Sequence, residues 1–274
     1  MPIRPPLATP WRNWCKDMNL TFDNRFKKRL LRGEPQIGLW LSIPSAFTAE
    51  ICATAGYDWL LLDGEHTPND IQTVLAQLQA CAGYPQTHPI ARPVIGDPVI
   101  IKQMLDVGVQ TLLIPMVDTA EQAKELVRAT RYPPHGIRGV GYGTARVSRW
   151  DLRQNYTKVA DDEVCLLVQA ETQTAIENLD SICTVEGVDG VFLGPSDLAA
   201  AYGQLGNPAH PDVQAVIESA IATILKHGKA PGILTPDENL AKRYLSLGAK
   251  FVAVGLEARV LARGVRELRQ RFTT

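Results

Sequence analysis

The sequence predicts an α/β fold of the (β/α)8 TIM-barrel type, and three observations carry that reading. Eight short apolar, β-prone runs alternate with longer stretches of helical period from Asn24 onward. The strand starts recur roughly every 20–40 residues, the spacing of a strand, a helix and their connections. The remaining chain is close to the ~250 residues typical of such barrels. A doubly wound sheet of two halves is the alternative that this pattern leaves open.

Taken in order, a short basic helix (24–32) opens the domain, and the first strand follows at 37–41, Ile-Gly-Leu-Trp-Leu. A helix at 47–55 leads to the second strand, 59–63, which is wholly apolar until Asp63. The helix at 68–82 has a capping hydroxyl on Thr67 and a first-turn proline, Pro68. Strand 89–92 ends on Arg92, and the helix at 98–107 again starts on a proline. Strand 111–115 and helix 120–131 precede the widest gap, 131–143, rich in Pro and Gly. Beyond it come strand 164–169, helix 172–185, strand 190–193 and helix 212–227, stopped by Gly228. Strand 230–233, helix 237–247 with its terminal Gly248, strand 251–255 and helix 257–272 complete the eight units.

Composition narrows the function. Apolar residues make up 45% and charged residues 21%, and 28 Lys plus Arg against 29 Asp plus Glu leave a formal net charge of -1. That balance argues against a dedicated nucleic-acid binder and leaves no general attraction to an anionic membrane. No apolar run approaches the ~20 residues of a membrane span. The five cysteines (Cys15, Cys52, Cys81, Cys165, Cys183) are odd in number and lack C-x-x-C spacing, which points to free thiols and a reducing cytoplasm. Residues 1–23 lack the apolar core of a signal peptide and read as a non-catalytic appendage. Residues 24–274 form one barrel domain.

A barrel of this kind places its chemistry at the C-terminal ends of the strands, so the search reduces to eight short windows. Four are polar: Asp63-Gly64-Glu65-His66, Arg92-Pro93, Gln169-Ala170-Glu171-Thr172, and Gly194-Pro195-Ser196-Asp197. Glu171 and Asp197 follow neighbouring strands and suit a hard divalent cation such as Mg2+ or Mn2+. Each could instead simply cap its helix. His66 beside Asp63 and Glu65 suits a general base near neutral pH, against the plainer role of a surface loop histidine. The fork of Arg92 suits a carboxylate, enolate or ketone oxygen, or a salt bridge to Asp63 or Asp97. The Gly194–Asp197 turn offers backbone N–H groups for a carboxylate.

Other patterns are negative. Gly139-Val140-Gly141-Tyr142-Gly143 lacks the spacing and preceding strand of a nucleotide loop, and no Gly-x-Ser-x-Gly elbow exists. The arginines of the last helix read as a solvated or subunit-facing surface. Lys229 and Lys250 precede strands, which sends them to the end of the barrel away from catalysis. No lysine then serves a Schiff base, and carbon–carbon chemistry would proceed through a metal-stabilised enolate. A non-catalytic barrel acting as a scaffold is the rival from another class, disfavoured by the full set of polar strand ends.

At these windows the chain resembles the HpcH/HpaI aldolases. The motifs are Ile37-Gly38-Leu39-Trp40-Leu41, Leu62-Asp63-Gly64-Glu65-His66, the stretch 128–141, 188–198 and Phe251-Val252-Ala253-Val254-Gly255, and the similarity runs over 26–272. The resemblance implies a class II pyruvate aldolase that reversibly cleaves 4-hydroxy-2-oxo acids, such as 4-hydroxy-2-oxoheptanedioate, to pyruvate and an aldehyde. A 2-keto-3-deoxy sugar-acid aldolase and a CoA-ester lyase are its alternatives. It implies a divalent metal (Mg2+, Mn2+ or Co2+) on Glu171 and Asp197, His66 as base, and Arg92 as the enolate-stabilising residue. It further implies Asp63 orienting His66, Asp106 reaching that histidine from an adjacent subunit, and substrate contacts from Trp40, Gln169, Ser196, Asp197 and Leu234. The last helix would pack against a neighbouring subunit in a homohexamer. Tyr142-Gly143-Thr144 departs from the family pattern.

Overall fold

The computed structural model describes residues 22–153 and 155–272. Most of the predicted appendage, including Cys15, lies outside the described residues. Eight parallel strands close into one barrel in sequence order. They are β1 (Gln36–Leu41), β2 (Trp59–Asp63), β3 (His88–Arg92), β4 (Thr111–Ile114), β5 (Cys165–Ala170), β6 (Gly190–Leu193), β7 (Ala230–Leu234) and β8 (Phe251–Leu256). The helices are α1 (Arg25–Leu31), α2 (Ala46–Ala53), α3 (Ile71–Cys81), α4 (Pro98–Asp106), α5 (Ala120–Thr130), α6 (Tyr156–Glu163), α7 (Gln173–Glu177), α8 (Leu179–Cys183), α9 (Pro195–Ala201), α10 (Pro211–Lys226), α11 (Glu238–Ser246) and α12 (Glu257–Gln270). The doubly wound alternative is excluded by closure between β1 and β8.

Strand parity sorts the side chains, because successive residues point to opposite faces. Trp59 and Leu61 of β2 join the cluster inside the barrel, with Ile90, Leu167, Phe192 and Phe251. Leu60 and Leu62 join the larger layer between barrel and helices. Glycine makes room where the largest rings cross the interior: a Cβ on Gly38 would lie 2.1 Å from the Trp59 ring, and one on Gly232 2.1 Å from the Phe251 ring. The same parity, carried to the strand ends, turns Asp63, Arg92 and Gln169 inward at the mouth, and all three are buried.

At the opposite end α1 plugs the floor. Phe26 packs edge-on against Phe251 (centroids 5.9 Å apart) and Trp59 (6.3 Å). Asn24 caps the helix by accepting from the Lys27 N–H and donates to Thr111 Oγ1 and the Gln110 and Glu163 carbonyls. Phe22, inside the span read as an appendage, is buried against Tyr156 (5.0 Å).

Three local expectations need correction. α3 starts at Ile71, three residues later than read, because Asp70 and Thr73 form its capping box. Thr67, the expected cap, donates its hydroxyl to the Asp63 carbonyl instead and so fixes the loop that carries Glu65 and His66. The helix expected over 172–185 is broken at Asn178 into α7 and α8, and the Asn178 side chain donates to the Asp118 carbonyl, 2.9 Å. The gap after β4 holds two 3-10 turns, Tyr142–Thr144 and Arg146–Ser148, and the helix α6, which apolar periodicity did not reveal.

Candidate active site at the barrel mouth

β2 and β3 supply the most tightly built part of the site. Asp63 and Arg92 are register partners on neighbouring strands, so their side chains emerge side by side. Arg92 grips Asp63 at two points, Nε to Oδ1 and Nη2 to Oδ2, both 2.8 Å. Trp40 of β1 adds its indole N–H to Asp63 Oδ2, 3.2 Å, and its ring lies 4.7 Å beneath the guanidinium. Burial works against charge on Asp63, but the Arg92 guanidinium outweighs it and holds the carboxyl below its usual range. The remaining edge of Arg92 faces Glu65 Oε2 at 2.6 Å, an ion pair without hydrogen-bond alignment, and Gln169 Oε1 at 3.5 Å.

This arrangement revises the partner expected for His66. The oxygens of Asp63 are taken up by Arg92, Trp40 and the Glu65 backbone N–H. Glu65 is the carboxylate beside the imidazole, with Oε1 3.8 Å from Nε2. The His66 side chain is 70% exposed and stands on the rim. Asp106 lies at the end of α4 and pairs with Arg138, 2.7 Å. Within one chain it does not join the mouth. Leu234 ends β7, half-buried against the interior cluster.

Glu171 and Asp197 converge as expected. The point where a Cβ would sit on Gly194 is 2.6 Å from Glu171 Oε2 and 3.4 Å from Asp197 Oδ2, so the glycine leaves the two carboxylates facing one small space. Asp197 is exposed in the first turn of α9, next to Ser196. Glu171 is 3% exposed and accepts from the Gln169 side-chain amide and the Met116 N–H, the latter at 3.0 Å. Burial pushes its carboxyl up to about 7; the two hydrogen bonds pull the other way, and the charges of Asp197 and Glu65 add to the rise. Burial also raises Glu65, against the pull of Arg92.

Two contributors escaped sequence reasoning. Met116 reaches Glu171 through its backbone, in a left-handed conformation (φ 56°) that no glycine announces. Glu257, first in α12, accepts from the N–H groups of Ser42 and Ile43 and ties the loop after β1 to the mouth. Lys229 lies where its place before β7 puts it: Nζ donates to the Val185 and Val188 carbonyls ahead of β6, away from the mouth.

The donor set can be tested against a divalent ion. Among the described residues no group of three or more His, Cys, Asp or Glu side chains forms a closed metal site. Two carboxylates across Gly194, one of them raised by burial and like charge, instead fit a hard cation that keeps open positions for water and substrate oxygens.

Residues 36–263 match the model of the HpcH/HpaI aldolase/citrate lyase family. The chain is 60% identical over 250 residues to the 4-hydroxy-2-oxo-heptane-1,7-dioate aldolase of Shigella sonnei strain Ss046, covering 91% of this chain and 95% of that one. It is 59% identical to the hydroxypyruvate/pyruvate aldolase of Pseudomonas aeruginosa, over 91% and 92% respectively. A crystal structure of an HpcH/HpaI aldolase/citrate lyase family protein from Burkholderia cenocepacia J2315 superposes with a TM-score of 0.87 at 37% identity, covering 90% of this chain and 98% of that one. With its barrel, its strand-end residues and these likenesses in agreement, the chain belongs to the HpcH/HpaI aldolase/citrate lyase family.

Proposed function

We propose that the protein is a class II pyruvate aldolase. It reversibly cleaves 4-hydroxy-2-oxo acids, such as 4-hydroxy-2-oxoheptanedioate, to pyruvate and an aldehyde. The observation that carries this is the pairing of Glu171 with Asp197 across Gly194, next to a guanidinium held rigid by Asp63 and Trp40. Glu171 and Asp197 would hold Mg2+, Mn2+ or Co2+. When bound there, a divalent ion polarises the 2-oxo group and lowers the cost of negative charge at C3.

The chain's own residues supply the rest. The Ser196 and Asp197 N–H groups, in the first turn of α9, receive the substrate carboxylate. His66 on the rim takes the C4 hydroxyl proton through a water, with Glu65 beside the ring. The C3–C4 bond breaks, the aldehyde leaves, and the electron pair passes into the enolate of pyruvate. Arg92 stabilises that charge with its Nη1 edge, the one that faces Glu65 and Gln169 rather than Asp63. A water then protonates C3 to give the pyruvate methyl group, and His66 passes its proton to the hydroxide so formed. Gln169 orients Glu171, Trp40 supports Arg92, and Leu234 packs beside the aldehyde.

We read the working protein as a cytoplasmic homohexamer with residues 1–23 outside catalysis. The described cysteines are free, and no described helix is long and apolar enough to cross a membrane. α12 exposes Val260, Leu261, Val265 and Leu268 at more than half their surface, a face suited to a neighbouring subunit. Asp106, paired with Arg138, would reach the neighbour's histidine. The test is a pyruvate-release assay on 4-hydroxy-2-oxo acids after chelation and after return of Mg2+, Mn2+ or Co2+. Restored turnover supports the reading, and full activity without metal overturns it.

A further inference from the structure

A cavity of about 650 Å3 opens at the floor of the barrel, at the opposite end from the carboxylates of the mouth. Arg146, Arg149 and Arg153 line one side, and Phe26, Leu78 and Pro85 give the remainder an apolar share. Arginines elsewhere close onto carboxylates: Arg29 onto Asp58, Arg92 onto Asp63, Arg138 onto Asp106. Among the described residues, these three meet no carboxylate within 4.0 Å. Their hydrogen bonds go to carbonyls, Arg146 to Val107 (2.8 Å), Arg149 to Arg146 (3.3 Å) and Arg153 to Val147 (2.7 Å), and the Arg153 guanidinium also lies over the Phe22 ring, 5.2 Å from its centroid. The buried Nε of Arg153 has no hydrogen-bond partner. The two carboxylates lining the cavity, Asp23 and Asp58, are already engaged by Lys28 and Arg29.

The backbone holds these like charges together at a cost. Arg149, Trp150, Asp151 and Asn155 all take left-handed conformations (φ 53–68°), which Asp and Asn adopt more readily but which are disfavoured for Arg149 and Trp150. The Ser148 hydroxyl pins the turn by donating to the Tyr142 and Ala145 carbonyls and accepting from the Asp151 N–H. Burial, then repulsion from the neighbouring arginines, pulls Arg146 and Arg153 down to about 10, which leaves them cationic at neutral pH. Strain of this kind, kept where no carboxylate balances the three charges, points to a ligand site.

We propose that this cavity binds a phosphorylated small molecule, with its phosphate on Arg146, Arg149 and Arg153. A phosphate ester carries roughly −1.5 to −2 charge and three acceptor oxygens, and guanidinium forks match it at two points each. A single carboxylate would leave most of the positive charge uncompensated. The volume exceeds an inorganic ion and falls within the ~300–1,000 Å3 of small-molecule sites.

Calorimetric titration of the metal-loaded enzyme with glycerol 3-phosphate tests this, since that probe has no carbonyl to enter the aldol reaction, and glycerol serves as control. The expected result is saturable binding at one site per chain, at least tenfold weaker in Arg146→Gln and Arg149→Gln, with aldol cleavage unchanged and glycerol silent. Phenylglyoxal labelling of the unmutated enzyme, mapped by peptide mass spectrometry, should show Arg146, Arg149 and Arg153 protected by the probe. Absence of binding overturns the proposal. So does binding that pyruvate displaces and that ignores the arginine substitutions, which would place the probe at the mouth. A fall in oligomer mass in the variants, without probe binding to the unmutated enzyme, overturns it in favour of an acidic surface on a second subunit.

Discussion

The mouth and the floor plug of the barrel bury polar side chains in opposite ways. At the plug, Asn24, Gln36, Thr111 and His88 satisfy one another or the backbone without net charge. Gln36 donates to the Phe26 carbonyl, and His88 shares a 2.8 Å hydrogen bond with Thr111. Burial pushes His88 down to about 4, so it stays neutral. At the mouth, Asp63 and Glu65 flank the guanidinium of Arg92, and Glu171 faces Asp197 across Gly194 with no cation between them among the described residues. Paired neutral groups hold a fold, whereas like charges crowded in low dielectric raise its energy and await a counter-charge. The contrast separates side chains that hold the fold from those of the proposed site.

The largest expected effect lies at the mouth. Glu171→Ala and Asp197→Ala should each lower pyruvate release by on the order of 10³-fold or more, as losses of direct electrostatic stabilisation do. The melting temperature should not fall, because each substitution removes a repelled charge and leaves the Asp63–Arg92 pair intact. Metal binding, followed by calorimetry, should disappear in both. A variant that unfolds would place its carboxylate in the architecture.

Next is the reverse experiment at the plug. Phe26→Ala removes a ring that touches Trp59, Phe251 and His88, and loss of a buried phenyl costs about 3–5 kcal/mol. Urea denaturation should show that loss, while kcat at 25 °C stays within about twofold. A large change in kcat with unchanged stability would mean that the two ends are coupled.

These regions also differ in how far the sequence reveals them. Strand-end windows made Glu171, Asp197, Arg92 and His66 visible, because apolar runs end abruptly on polar residues and alternation fixes which of those face inward. Register is not written in any single strand. The residues beside His66 leave Asp63 and Glu65 open as its partner, and the position of Asp63 opposite Arg92 on β3 commits it to the guanidinium. Met116 was invisible for a related reason: its contribution is a backbone N–H in a left-handed turn with no glycine to mark it. The cap at Asp70 and the break at Asn178 depend on side chains drawn into neighbouring loops, which periodicity does not report.

A smaller effect follows from Glu171. Its folded carboxyl, pushed to about 7 by burial, lies above the 4.5 of an ordinary glutamate. Below about pH 4.5 both states carry the proton and the group contributes nothing. Between 4.5 and 7 the folded chain retains a proton that the unfolded chain releases, so stability falls with rising pH, and above 7 the penalty is complete. For a shift of this size that penalty is up to about 3 kcal/mol. The metal-free protein should therefore lose stability across this window relative to Glu171→Gln, and a divalent ion should cancel the difference by binding the ionised form. Asp63 acts in the opposite sense at lower pH, since its carboxyl is held below the usual range and its contribution is lost on acidification. Urea titrations of both proteins from pH 4.5 to 8, with and without Mn2+, measure the slope; identical slopes would remove Glu171 as the strained acid.

The smallest expected effect is none at all, and it tests whether the mouth works without an amine. Borohydride reduces the imine that a lysine forms with a 2-oxo acid, leaving a stable secondary amine and an added mass. Lys229 is committed to the carbonyls of Val185 and Val188 ahead of β6. Lys250 lies immediately before β8, with its ammonium beside Gly33 after α1. Both are therefore at the floor, a barrel length from Glu171 and Arg92. Treatment with pyruvate and borohydride should leave the intact mass unchanged and, once the reagents are removed and metal restored, the activity as well. A one-to-one lysine adduct formed with loss of activity would mean that an amine reaches the substrate. The division between a plug of neutral, mutually satisfied groups and an amine-free mouth of crowded carboxylates would then fail at its central point.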